Sequence, residues 1–128
     1  MIAYTTLGTN DIDKAGAFYD AVFGEIGVGK LWTSDGFLGY GVSMDVPMFG
    51  VCRPHNGEAA TVGNGTMIAL ALQTPDQVQK IHAKALELGA ADEGAPGPRG
   101  ETGFYCGYFR DLDGNKLNAF CMVPPAQG

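Results

Sequence analysis
Two amphipathic stretches of helical period interrupt a series of short alternating runs. Tyr4–Thr9 alternates, which predicts a strand with Thr5, Leu7 and Thr9 on one face. Asp11 follows as an N-cap, its carboxylate placed to accept from orphan N–H groups. Ala15, Phe18, Tyr19 and Val22 then recur at three- and four-residue spacing, the stripe of a helix that ends at Phe23-Gly24. Three more strands are predicted over Gly29–Thr33, Phe37–Ser43 and Met48–Arg53, the first two joined by a Ser34-Asp35-Gly36 turn.

After a polar, glycine-bearing linker the same order recurs. Met67–Leu72 alternates less cleanly, with Ile68, Leu70 and Leu72 on one face. Thr74 is an N-cap, Pro75 suits the first helical position, and Gln77 completes a capping box. Val78, Ile81, Ala85 and Leu88 form the buried stripe, and Gly89 stops the helix. Glu93–Gly103 reads as a turn-rich stretch, followed by strands over Phe104–Arg110 and Lys116–Met122 with Asp113-Gly114 in the turn between them.

The two halves are a degenerate repeat. An offset of 63 aligns Tyr4 with Met67, Leu7 with Leu70 and Phe18 with Ile81. It grows to 68 at Gly39-Tyr40 against Gly107-Tyr108, and to 69 at Cys52 against Cys121, the drift that loop insertions produce. The fold class expected is α+β, a single domain over 1–128 built of tandem βαβββ modules. Module 1 spans 3–54, a linker 55–65, and module 2 66–123.

Each sheet has one helix to cover one face. The other face stays exposed unless the halves, or two subunits, bring such faces together around a cleft. If Leu7, Leu70, Leu117 and Cys121 point at the helices, then Tyr4, Thr6, Met67, Ala69, Asn118 and Phe120 point into the cleft. The repeat offset adds Phe49 as the counterpart of Asn118.

Composition narrows the partners. The 128 residues hold 20 Gly and 7 Pro, but 45% of the chain is apolar, and with the periodicities this argues for an ordered domain. Eight basic against fourteen acidic residues give a net charge of −6, which lacks the footprint of a nucleic-acid binder and does not suit an anionic membrane. Three cysteines without a CxxC motif read as free thiols in a reducing compartment. With neither an apolar leader nor an 18-residue apolar run, a soluble cytoplasmic protein is expected.

Two stretches then carry a family likeness. Thr6-Leu7-Gly8-Thr9-Asn10-Asp11, followed by Ala17-Phe18-Tyr19-Asp20-Ala21-Val22-Phe23-Gly24, resembles the opening of the glyoxalase, bleomycin-resistance and extradiol dioxygenase group, the vicinal oxygen chelate superfamily. Tyr108-Phe109-Arg110-Asp111-Leu112-Asp113-Gly114-Asn115-Lys116-Leu117 resembles its final hairpin. The likeness covers Tyr4 to Met122. It implies paired modules around a cleft, commonly in a homodimer, and in metal-using relatives a divalent ion held by His, Glu or Gln.

Carried over residue by residue, those ligand positions fall on Tyr4, Met67, Asn118 and, nearest, Phe49. A phenol, a thioether, a carboxamide and a phenyl ring are not the Cys, His and carboxylate donors that divalent ions take. No metal or other cofactor is therefore expected. GxSxG, dinucleotide-binding and P-loop motifs are also lacking.

The function expected is metal-independent binding of a small hydrophobic or aromatic molecule. Tyr4, Phe49, Met67 and Phe120 would surround it, Asn118 would fix it by hydrogen bonds, Arg99 would close over an anionic part, and Trp32 and Tyr105 would form an aromatic rim. The alternatives are a divalent-metal-dependent lyase or dioxygenase, suggested by the resemblance, and a structural or regulatory dimer with a closed cleft.

Overall fold
Asp11 and Thr74 start the two helices through their side chains. Asp11 accepts from the Lys14 N–H at 3.0 Å and Thr74 from the Gln77 N–H at 3.2 Å. The Gln77 Oε1 turns back to accept from the Gln73 N–H at 2.9 Å, one residue earlier than a standard capping box. The computed structural model describes residues 1–124, so the last four residues of the expected domain lie outside the described residues.

In chain order the elements are β1 (Tyr4–Gly8), α1 (Ile12–Gly24), β2 (Gly29–Ser34), β3 (Phe37–Gly41), β4 (Met48–Cys52), β5 (Ile68–Ala71), α2 (Pro75–Glu87), β6 (Ala91–Pro98), β7 (Phe104–Arg110) and β8 (Lys116–Met122). Two four-stranded mixed sheets result, ordered β1-β4-β3-β2 and β5-β8-β7-β6, with β1 parallel to β4 and β5 parallel to β8. This is the α+β tandem βαβββ architecture that the repeat predicts.

The stretch expected to be turns from Glu93 onward is largely β6. Its pairing with β7 is irregular, with register shifts between Asp92 and Gly94 and between Gly94 and Gly97. Glycine and proline disguise it as loop because a bulged edge strand tolerates both. Leu88, expected on the buried stripe of α2, lies at the exposed C-cap.

One hydrophobic core joins both modules. Phe18, Tyr19, Val22 and Phe23 of α1 and Val78, Ile81 and Ala85 of α2 pack against Leu7, Val51, Phe109, Leu117 and Ala119 of the sheets. The helices touch each other, whereas among the described residues no strand of one sheet touches a strand of the other. The two sheets of one chain therefore do not close on each other, although an open apolar groove of about 580 Å³ runs between the modules, lined by Tyr40, Met48 and Phe49 of the first and Met67, Ile68 and Leu70 of the second. Each sheet keeps an outer face, opposite its helix, without a covering element.

Polar bonds fix the two modules together. Asn115 Nδ2 donates to the Gly8 carbonyl at 2.9 Å, and the Asn10 N–H donates to Asp113 at 2.9 Å. Among the described residues no helix is long and apolar enough to cross a membrane.

Candidate functional site
Strand alternation sends Tyr4 and Thr6 of β1 away from α1 and keeps Leu7 under it. Tyr4, 58% exposed, meets Phe37 edge-on with ring centroids 6.4 Å apart. Two glycines make room on this outer face. A Cβ on Gly50 would meet the Thr5 carbonyl oxygen at 2.6 Å and the Phe37 ring at 2.9 Å, and one on Gly39 would meet the Met48 sulfur at 2.6 Å. Trp32, 53% exposed, and Met44 complete an open bay of about 450 Å³ with Tyr4, Ser34, Phe37 and Met48.

Phe49 is not on that face. It lies in the core, its ring 5.0 Å from Tyr19 and 5.1 Å from Phe23 of α1. Thr6 pairs with Gly50, while its repeat mate Ala69 pairs with Asn118. The counterpart of Asn118 is thus Gly50, at an offset of 68. An error of one residue in a strand turns a side chain to the opposite face. By the same slip Cys52 leaves the helix side and lies half-buried on the outer face, the place that Phe120 holds in the second sheet.

On the second sheet Asn118 sits between Ala69 of β5 and Tyr108 of β7. Phe120 stacks obliquely on Phe104 with centroids 5.1 Å apart, and Met67, 41% exposed, stands just before β5. Arg99 is half-buried. It folds back over β6, donating to the carbonyls of Gly97 and Ala95 at 2.9 Å each, and its guanidinium lies 5.7 Å from the Tyr108 ring centre.

Tyr105 faces the other way. Its hydroxyl accepts from Gln79 Nε2 of α2 at 2.8 Å, so it braces the helix and forms no rim. Tyr108 takes the outward aromatic place in β7. In the sequence Tyr108 marks the repeat and opens the final-hairpin motif, and the β7–β8 register is what reveals its face. Its phenol is raised above the ordinary tyrosine range by hydrogen bonding to Cys106 first and by burial second, with Arg99 and Asn118 pulling it down.

Chemically this surface offers rings, thioethers, a carboxamide and cations. At the positions the resemblance assigns to metal ligands stand Tyr4, Met67 and Asn118, with Gly50 in place of Phe49. Gly50 has no side chain, and the Phe37 ring already fills the space a larger residue would need. The donor set does not fit a divalent ion. Among the described residues no three His, Cys, Asp or Glu side chains cluster elsewhere. His82 is buried, its Nε2 3.1 Å from Asp92 and 3.2 Å from the Tyr108 carbonyl, and His55 is exposed in the linker. Cys106 and Cys121 are buried, and burial pushes the Cys121 thiol up.

Two βαβββ modules with this geometry define a known class of fold. The pattern of the Glyoxalase/Bleomycin resistance protein/Dioxygenase superfamily matches residues 1–119, and the chain belongs to that superfamily. A glyoxalase/bleomycin resistance protein from Albidiferax ferrireducens T118 is similar at 34% identity and a TM-score of 0.86, over 94% of this chain and 98% of that one. Hypothetical protein SA1046 from S. aureus is 23% identical with a TM-score of 0.72, over 94% and 92% of the two chains. A glyoxalase/bleomycin resistance protein/dioxygenase family enzyme from Burkholderia phytofirmans PsJN is 20% identical with a TM-score of 0.73, over 94% and 98%. The last two speak for the fold alone. Curated protein sequences contain no significant match.

Proposed function
We propose that the protein binds a small, partly apolar molecule on the outer faces of its sheets, that two copies enclose it, and that no divalent metal takes part. The observation that carries this reading is the bay on the first sheet, where Tyr4, Trp32, Phe37, Met44 and Met48 stand around open space. Rings and thioethers gathered around open space are the lining that a partly apolar small molecule takes.

A two-fold axis would set the first sheet of one copy against the second sheet of the other, twice, and so close the assembly. Each enclosed space would then combine Tyr4 and Trp32 from one copy with Asn118, Phe120 and Arg99 from its partner. Support for metal independence comes from the donor chemistry and from the filled space over Gly50.

Native mass spectrometry of freshly purified protein tests all three parts. The expected result is a dimer without stoichiometric metal, carrying or taking up a small molecule. A monomer that no small aromatic compound stabilises would sink the reading. So would one Zn²⁺, Ni²⁺ or Fe²⁺ per chain that is lost on Asn118→Ala.

A further inference from the structure
Asn118 is the most confined polar side chain on either outer face. It is 1% exposed, and neither Oδ1 nor Nδ2 has a hydrogen-bond partner among the described residues. The Tyr108 phenol lies close by without making a bond of proper geometry. Proteins seldom bury a carboxamide with both ends unpaired, because each end forgoes the bonds it made in water. Such a group calls for a partner from outside the chain.

The charges around it are equally unusual. Five of the eight basic side chains, Lys30, Arg53, Lys80, Lys84 and Arg110, are paired with carboxylates. Among the described residues the other three, Lys14 on α1 and Arg99 and Lys116 on the second sheet, have no carboxylate partner, in a chain of net charge −6. Arg99 and Lys116 both lie against Tyr108, the guanidinium 5.7 Å and the ammonium 5.3 Å from the ring centre. Glycine makes this possible. A Cβ on Gly94 would press on Tyr108 at 3.2 Å and sit 3.4 Å from the Arg99 guanidinium. The bonds to Ala95 and Gly97 use Nη1 and Nη2 of Arg99 and leave its Nε–H unused.

We propose that this part of the second sheet holds the carboxylate of a small amphipathic organic acid. Asn118 Nδ2 and Arg99 donate to the two oxygens. Lys116, two residues along the same strand face, serves Asn118 Oδ1 and balances the ligand's charge. The apolar body lies on the Phe104–Phe120 pair. A planar head with two acceptors suits a guanidinium edge beside an amide donor. The inference rests on the small-molecule reading above and adds the ligand class and the residues that select it.

Calorimetry with phenylacetate and its neutral analogue phenylacetamide tests it, together with the side-chain amide resonances of Asn118 in ¹⁵N-labelled protein. Phenylacetate is expected to bind about tenfold tighter and to move those resonances saturably. Asn118→Leu and Arg99→Gln should each erase the advantage of the acid over the amide. Asn118→Leu removes an unpaired polar group, so it should melt no lower than the parent. Should it fail to fold, Arg99→Gln decides alone. Equal binding of acid and amide overturns the carboxylate assignment and leaves the small-molecule reading standing. Displacement of phenylacetate by equimolar inorganic phosphate overturns it as well. If neither aromatic probe binds at about 10 mM, a free energy near −3 kcal/mol by the affinity scale, both readings fall.

Discussion

Tyr19 donates its phenolic hydrogen to Asp111 Oδ2 across 2.5 Å, joining α1 of the first module to the β7–β8 hairpin of the second. The same carboxylate accepts from the backbone N–H groups of Asp113 and Asn115 at 2.9 Å each and from Asn115 Nδ2 at 3.0 Å. Asp111 is buried, and every one of these bonds satisfies its charge where water cannot.

Tyr19→Phe keeps the ring and removes one charge-assisted bond, so it should cost about 1.5–3 kcal/mol. Asp111→Ala strands several donors and should cost more, about 3 kcal/mol or beyond. Urea unfolding at neutral pH checks both. Equal midpoints for Tyr19→Phe and the parent would show that the link between modules carries no stability.

Alkali should unfold the protein through two tyrosines. The Tyr19 phenol is held well above its ordinary range by burial first and by the Asp111 carboxylate second. Tyr40 is raised likewise by burial, and by Asp20, to which it donates at 2.9 Å. Because the folded values are raised, their contribution to stability is full below the unfolded value of about 10 and declines as pH climbs past it. Absorbance at 295 nm should show these two ionising only as the near-ultraviolet circular dichroism collapses. Ionisation of all five tyrosines in the folded state would contradict this.

Adjacent residues of β4 should respond in opposite ways. Phe49→Ala opens a cavity among Tyr19, Phe23 and Tyr40 and should cost about 3–5 kcal/mol. Gly50→Ala adds a methyl group against the Thr5 carbonyl and the Phe37 ring and should cost about 1–3 kcal/mol by overpacking. Gly50→His should bring no Zn²⁺ affinity, since the imidazole finds the space taken. Thermal melts with and without Zn²⁺ measure all three.

Trp32 is the sole tryptophan and stands on the outer face of the first sheet. If copies pair through that face, its emission should shift to the blue as protein concentration rises from nanomolar to micromolar, in step with dimer formation by sedimentation. Trp32→Glu should hold the protein monomeric, because pairing would desolvate an unpartnered carboxylate. Dimerisation of that variant with unchanged affinity would remove the first sheet from the interface.

Much of this was legible in single residues. Asp11, Thr74 and Pro75 marked helix starts because capping is a local bond between neighbours in sequence. The ends of α1, β7 and β8 fall where periodicity put them. β6 was not legible, since glycine and proline look alike in a turn and in a bulged edge strand, and only the pairing with β7 separates the two. Phe49 was misplaced because an insertion within a loop cannot be assigned to one side of a strand by counting alone.

From its sequence alone the chain determined its elements and their repetition, because these depend on residue type and near neighbours. Tertiary structure decided which sheet faces lie open, that Gly50 rather than Phe49 opposes Asn118, and that Arg99 folds back onto Tyr108. Those outcomes depend on strand register and on two helices packing against each other, contacts between residues far apart along the chain that no local pattern encodes.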